Sequence, residues 1–186
     1  GERKRTGNRK YVIEHPQLNL LAGCTPGYLA SNIPEAAWDQ GFLARTILAY
    51  SGDIQSDEDI FKSVDRKEGL RKVLIDDLRS IYQLFGEMDF SRVSDLIHEW
   101  YRKGMQPAPE HPRLVHYSTR RRAHLIKLCM IACAAEGDDR VITVEQYQTA
   151  MSWLLNAESH MSGMFKALSM SCLLYTSPSP RDRTRS

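Results

Sequence analysis

The segment Thr143-Val-Glu-Gln146 has the residue pattern of a capping box. It is followed by Tyr147, Ala150, Met151, Leu154, Met161, Met164, Phe165 and Leu168 at three- and four-residue spacing. In a capping box the threonine hydroxyl and the glutamine amide satisfy two of the backbone N–H groups that a helix start leaves orphaned. The spacing then gathers the apolar side chains onto one stripe of a long helix, and such a stripe must be covered by other elements. Those elements are visible upstream. Asp65-Arg-Lys-Glu68 is an acidic version of the same box, leading into Leu70, Val73, Leu74, Leu78, Ile81, Tyr82 and Phe85. A second helix is expected over Ser91–Lys103, with Val93, Leu96, Ile97 and Trp100 on its apolar face and Gly104 ending it. Pro107, Pro109 and Pro112 mark an extended connection, and a third helix is expected over Ser118–Ala135. Residues 53–170 therefore predict a small all-helical domain, and the chain as a whole is expected to be mostly α.

Residues 1–52 follow a different pattern. Lys10-Tyr-Val-Ile-Glu14 and Leu18-Asn-Leu-Leu-Ala22 are short apolar or β-branched runs, separated by His15-Pro16 and closed by Gly23 and Pro26. Gly27–Ala30 fits a helical turn, and Pro34–Trp38 a short helix stopped by Gly41. Phe42–Tyr50 is a further strand candidate. The segment predicts the edge of an α/β unit. No period of 20 to 50 residues repeats, which argues against a solenoid.

The C-terminal run Cys172–Asp182, written back into codons, resembles a transposase-based library adapter read in one frame. Residues 171–186 are expected to be a disordered adapter-derived segment, with a natural Pro/Ser/Arg tail as the alternative. The basic opening Gly1–Lys10 reads as an interior point of a longer reading frame. The tail carries Arg181, Arg183 and Arg185 against Asp182. Without it, the chain's 25 basic and 23 acidic residues become 22 of each, so net charge gives no footprint for nucleic acid. A hydrophobic content of 42% fits a globular class. No apolar run reaches the ~18 residues of a membrane span. Cys24, Cys129 and Cys133 read as reduced thiols, the latter two as small core side chains.

Several side chains carry candidate chemistry. Thr25 follows the apolar run 18–22; past a strand end its hydroxyl is placed for a phosphate oxygen or a water, and an ordinary turn explains it equally. Arg45 lies inside the apolar run 42–50, where a buried charge needs a partner and a solvated one does not. Arg120-Arg121-Arg122 opens the third helix, at the end where the helix dipole disfavours cations. A bound phosphate would compensate, as would Asp95, Glu99 or solvent. Lys127 extends the same basic face. His98, His111, His116 and His124 fit no metal-ligand spacing. Trp38, Trp100, Trp153, Met151, Met161 and Met164 are assigned to core packing in preference to base stacking.

His15-Pro-x-Leu-x-Leu-Leu-Ala-Gly-x-Thr-Pro26, Ala37-Trp-x-Gln-Gly-Phe-x-x-Arg45, His111-Pro-Arg-Leu114, Tyr117-x-x-Arg-Arg121 and His124-x-x-Lys-Leu128 together resemble the C-terminal part of a family of phage and prophage P-loop ATPases of helicase or primase-helicase type. The resemblance covers most of residues 5–168 and implies a RecA-like or AAA-like core edge followed by a helical lid. It implies ATP and Mg²⁺ as cofactors, DNA as partner, a homo-oligomeric ring, and a location inside a bacterial host cell. Thr25 takes the sensor position in that family, with Cys24 as its neighbouring alternative, and Arg45 that of an arginine reaching a phosphate within the subunit or across to the next. Arg120, Arg121 and Lys127 take nucleotide or DNA phosphate contacts. The chain contains no Gly-x4-Gly-Lys-[Ser/Thr], so triphosphate binding of the usual kind is not expected of it alone. A packaging ATPase and a non-catalytic loader or interaction module are the rival expectations.

Overall fold

The computed structural model describes residues 2–6, 9–14, 18–34, 37, 41–52, 68–137 and 139–175; within 2–13 and 168–175, and at 30 and 68, it describes the backbone alone. The expected helix around Trp38, the acidic run 56–59, the box residue Asp65 and positions 176–186 of the adapter-like tail lie outside these residues.

The chain is mostly helical. Strands β1 (Glu2–Thr6) and β2 (Arg9–Ile13) form an antiparallel ladder in which Glu2 faces Ile13 and Thr6 faces Arg9. Helices α1 (Pro26–Asn32), α2 (Gly41–Ala44), α3 (Glu68–Tyr82) and α4 (Ser94–Arg102) follow. A single 3₁₀ turn over Pro112–Leu114 leads into α5 (Val115–Ser118), α6 (Arg121–Glu136) and α7 (Val144–Tyr175). Among the described residues no helix is long and apolar enough to cross a membrane.

The α7 start forms as its residues dictate. The Thr143 N–H donates to Gln146 Oε1 at 3.0 Å, and the Gln146 N–H donates to Thr143 Oγ1 at 3.2 Å. Two apolar clusters then share α7. The first joins Val93, Ile97 and Trp100 of the α4 region to Leu125, Cys129 and Cys133 of α6, and closes with Ile142, Ala150 and Leu154. Burial raises both thiols, Cys129 to about 11, so these cysteines pack as small hydrophobes. The loop before α4 is fastened to the α6–α7 connection: the Asp89 N–H donates to Arg140 O (2.7 Å) and the Ile142 N–H to Asp89 O (2.9 Å). Arg140 Nη1 donates to Phe85 O at 2.6 Å and lies against Gly86. A positive φ of 106° and an absent Cβ admit the guanidinium there. The second cluster joins Leu43 to Leu114, Tyr117, Met161, Met164 and Phe165, with Leu29, Ile33, Ile47, Leu48 and Tyr50 around it. Helix α1 also packs on α7, so residues from the first 52 lie on the helical domain.

Two expected strands are not seen. Leu18–Ala22 is irregular and exposed, Leu21 fully so. A buried strand needs ladder partners, and the described residues supply none beside it. In place of the strand over 42–50 the chain forms α2 and then an irregular segment, with Leu43 and Ala44 buried.

Candidate functional site

The most concentrated chemistry lies where α4, α6 and α7 meet. Arg121 is fully buried and Glu158 nearly so. Arg121 Nε donates to Glu158 Oε1 and Nη2 to Glu158 Oε2, each at 2.7 Å, which is the bidentate geometry a guanidinium and a carboxylate favour. Nη2 also donates to Pro107 O at 2.7 Å and Nη1 donates to Met105 O. The guanidinium carbon sits 5.2 Å from the centre of the Trp100 ring, and the Trp100 indole N–H donates to Gln106 O at 3.2 Å. The Tyr117 hydroxyl donates to Glu158 Oε1 at 3.0 Å, and burial together with the adjacent carboxylate pushes its pKa far above the ordinary phenol value. Among the described residues no buried side-chain polar atom lacks a partner. Arg121 is thus fully engaged by protein acceptors, and a phosphate oxygen would have to displace one of them.

Neither Asp95 nor Glu99 supplies the compensating carboxylate; Glu158 of α7 does. The signal was Glu158's register: it falls four residues after Leu154 and three before Met161, on the apolar stripe itself. A charge at such a position requires a buried partner.

The other expected site residues are exposed. Thr25 is the N-cap of α1, its Oγ1 accepting the Tyr28 N–H at 3.3 Å, so the hydroxyl caps a helix. Arg45 follows α2 and folds back so that Nη1 donates to Gly41 O at 2.7 Å, in a space that a Cβ on Gly41 would occupy. Arg120 precedes α6 and Lys127 lies on it. Arg122 is placed differently, with its guanidinium carbon 4.6 Å from the centre of the Tyr101 ring.

His124 links some of these residues. Its Nε2 lies 3.0 Å from Ala44 O, and its ring stacks on Tyr117 at 5.0 Å between centroids. With a carbonyl opposite, Nε2 carries the proton and donates. The pKa of His124 is lowered first by burial and further by Lys127 and Arg120; the Ala44 contact and Glu158 oppose the shift. The charges of Arg120 and Lys127 thus reach His124, whose ring nitrogen bonds the residue before Arg45. Arg120 and Lys127 are exposed at the start of α6 and on it, His124 of the same helix bonds the residue before Arg45, and Arg121 turns inward to Glu158. His111 stacks on Phe165 at 3.9 Å, and its Nδ1 accepts the Arg113 N–H at 3.3 Å. Among the described residues no three His, Cys, Asp or Glu side chains converge on a point where a metal ion would sit.

One assignment to the core needs correction. Trp100, Met161 and Met164 are buried, but Trp153 is 43% exposed. At about 100° per residue it lies at the edge of the stripe, within about 20° of the phase of buried Met164, and remains half exposed there. No family model, no curated protein and no solved structure matches the chain.

Proposed function

We propose that this chain is a stretch of a phage-type P-loop ATPase acting on DNA, in which Arg45, Arg120 and Lys127 hold a nucleotide or DNA phosphate at the α2–α6 junction. The observation that carries this reading is the pair of exposed cations, Arg120 at the start of α6 and Lys127 on it, on the helix whose His124 bonds the segment bearing Arg45. Arg120 stands at the positive end of the α6 dipole, where an anion is favoured, and a guanidinium presents a fixed fork to phosphate oxygens. In the complete ATPase, helices α3–α7 form the lid and the segment 18–25 gains strand partners from the core, giving the α/β edge. Thr25 then stands at the nucleotide, and ATP, Mg²⁺ and a ring of subunits supply the motor. The chain itself has no phosphate-binding loop, so hydrolysis needs sequence beyond these 186 residues.

Binding of labelled single- and double-stranded DNA, followed by anisotropy across a salt series, tests the phosphate site. Arg120→Ala with Lys127→Ala is expected to flatten the salt slope by about 0.7 to 0.9 for each phosphate no longer neutralised. Salt-independent binding, or a slope unchanged in the double variant, sinks the reading. Recovery of the upstream reading frame tests the motor: a Gly-x4-Gly-Lys-[Ser/Thr] loop followed by an acidic strand is expected.

A non-catalytic loader or interaction module is the second reading, and one observation favours it. Helix α3 presents Leu70, Val73, Leu74, Leu78 and Ile81 to solvent, an apolar face that a partner would cover. DNA-independent capture of a partner protein, abolished by Leu74→Glu with Leu78→Glu, supports this module over the motor.

A further inference from the structure

The geometry points to a second site, a cleft between the segment 49–51 and α7 that accepts an unpaired nucleobase stacked on Trp153. It deepens the DNA reading above and rests on it for the source of the base.

The cleft is shallow and open to solvent, with a volume of about 410 Å³, which leaves one face of a bound ring exposed. Trp153, Asn156, Ala157 and His160 line it from α7, spaced so that they share one face. Tyr50 forms the opposite wall. Its ring is held in place: it belongs to the second apolar cluster and lies so close to Gly163 that a Cβ there would stand 3.4 Å from Tyr50 Cε1.

The composition of the walls selects the ligand. Trp153 exposes nearly half of its surface although packed stripes lie on the same helix, so a large π-face is available. Ala157 leaves the floor between the aromatic groups open. Asn156 is exposed, and its backbone carbonyl, not its side chain, takes the Ser159 hydroxyl at 2.7 Å. A free amide beside a stacking surface can donate to and accept from the edge of a base, as Asn does with adenine. Among the described residues the lining holds no Lys, Arg, Asp or Glu, so it favours a flat neutral ring over a phosphate or a charged side chain. Single-stranded nucleic acid offers such rings without the cost of opening a duplex. Arg45 precedes the segment 49–51 by a few residues, so a strand whose phosphate rests on the basic junction has a base to place here.

The test uses the 186-residue chain with two probes of equal length, an oligodeoxyadenylate and an abasic oligomer carrying the same phosphates. The adenylate is expected to bind about tenfold more tightly and to quench tryptophan fluorescence, given the usual strength of base–aromatic stacking. Trp153→Ala removes that preference while leaving the salt slope of the abasic oligomer intact. Ala157→Leu, which fills the floor without deleting a side chain, does the same, and Asn156→Ala narrows the preference. Circular dichroism identifies which of the three variants are folded, and the folded ones are decisive. Equal binding of the two probes, or a preference that survives in a folded Trp153→Ala or Ala157→Leu variant, overturns the base site and leaves the phosphate site standing. A base preference that persists while Arg120→Ala with Lys127→Ala leaves the affinity and salt slope of both probes unchanged supports the cleft and overturns the phosphate site. Binding of neither probe overturns both.

Discussion

Arg121 and Glu158, 37 residues apart in sequence, meet inside the protein through two parallel hydrogen bonds of 2.7 Å, so that the first turn of α6 is fixed against the middle of α7. The same guanidinium donates to Met105 O and Pro107 O, and thereby also holds the connection that follows α4. One side chain sets the mutual position of three elements. Its neighbours Arg120 and Arg122 are exposed, and Arg122 meets α4 only at the surface, over the Tyr101 ring.

Removing one member of this pair leaves the other charged and buried, at a cost of about 3–5 kcal/mol. Arg121→Ala and Glu158→Ala are therefore each expected to lower the urea midpoint sharply, whereas Arg120→Ala stays within about 0.5 kcal/mol of the parent. Replacing both partners by apolar residues of similar volume costs less than either single change, since no unpaired charge remains. Equilibrium denaturation of the four variants checks this. A mild Arg121→Ala coupled to a loss of DNA affinity would instead mark Arg121 as a ligand contact.

Loss of the Tyr117 hydroxyl removes one donor to a charged acceptor without opening a large cavity. Tyr117→Phe is expected to cost about 1.5–3 kcal/mol. Because Arg121 still satisfies Glu158, the effect must be smaller than that of Glu158→Ala in the same denaturation series.

What the sequence disclosed, and what it did not, follows from the range of the interactions. The helices around Val93–Trp100, Leu125–Cys133 and Tyr147–Phe165 were legible because each repeats its apolar residues over several turns. The capping box was legible because its partners lie three residues apart. The run Phe42–Tyr50 was not: a short apolar run fits a strand or a buried helical turn equally, and burial of Leu43 and Ala44 against α5 and α7 decided for the turn. The hairpin β1–β2 was half visible. Tyr11-Val-Ile13 suggested β2, but its partner Glu2-Arg-Lys-Arg-Thr6 is too charged to suggest a strand, although Gly7-Asn8 between them is of a type that hairpin turns favour. In the candidate site, the triple arginine announced a cation needing an anion. Which arginine turned inward depended on Glu158, a residue far away in sequence. Trp153 shares the helical phase of buried Met164 to within about 20°, so periodicity alone does not distinguish the exposed residue from the packed one.

Acid should loosen the second apolar cluster before any carboxylate titrates. Burial lowers the pKa of both His111 and His124 from 6.5, with Arg113 adding to the effect at His111 and Lys127 and Arg120 at His124; Glu158 and the Ala44 carbonyl oppose it at His124. With the folded pKa below the unfolded one, the unfolded chain binds more protons, so stability rises with pH through the window between the two values. Stability is thus expected to be level above about pH 7 and to fall as the pH drops below about 6.5, ahead of the carboxylates near 4. His124→Gln, which keeps a donor for Ala44 O, should flatten the decline in a series of urea midpoints. A slope of the opposite sign, or one that His124→Gln leaves unchanged, would contradict this assignment.

The reciprocal bonds between Thr143 and Gln146 cap α7 at the point where the chain leaves the Asp89–Ile142 contacts. Thr143→Ala removes the acceptor for the Gln146 N–H and is expected to cost about 1 kcal/mol. Thr143→Ser keeps the hydroxyl and should restore most of it. Thermal denaturation of the two variants reads the difference.

Two leucines on different helices separate packed from unpacked apolar surface. Leu154 of α7 is fully buried between α6 and the Ile142 segment, whereas Leu74 of α3 is more than half exposed. Leu154→Ala is expected to cost about 2–5 kcal/mol, because the deleted methyl groups no longer leave water on folding and a residual cavity stays behind. Leu74→Ala should change stability by no more than about 0.5 kcal/mol, because that side chain meets water in the folded and unfolded states alike. If Leu74→Ala destabilises as strongly as Leu154→Ala at low protein concentration, α3 is packed within the same chain. If its effect appears only as the concentration rises, the face of α3 is covered by a second copy, and the midpoint of the unsubstituted chain must then rise with concentration as well.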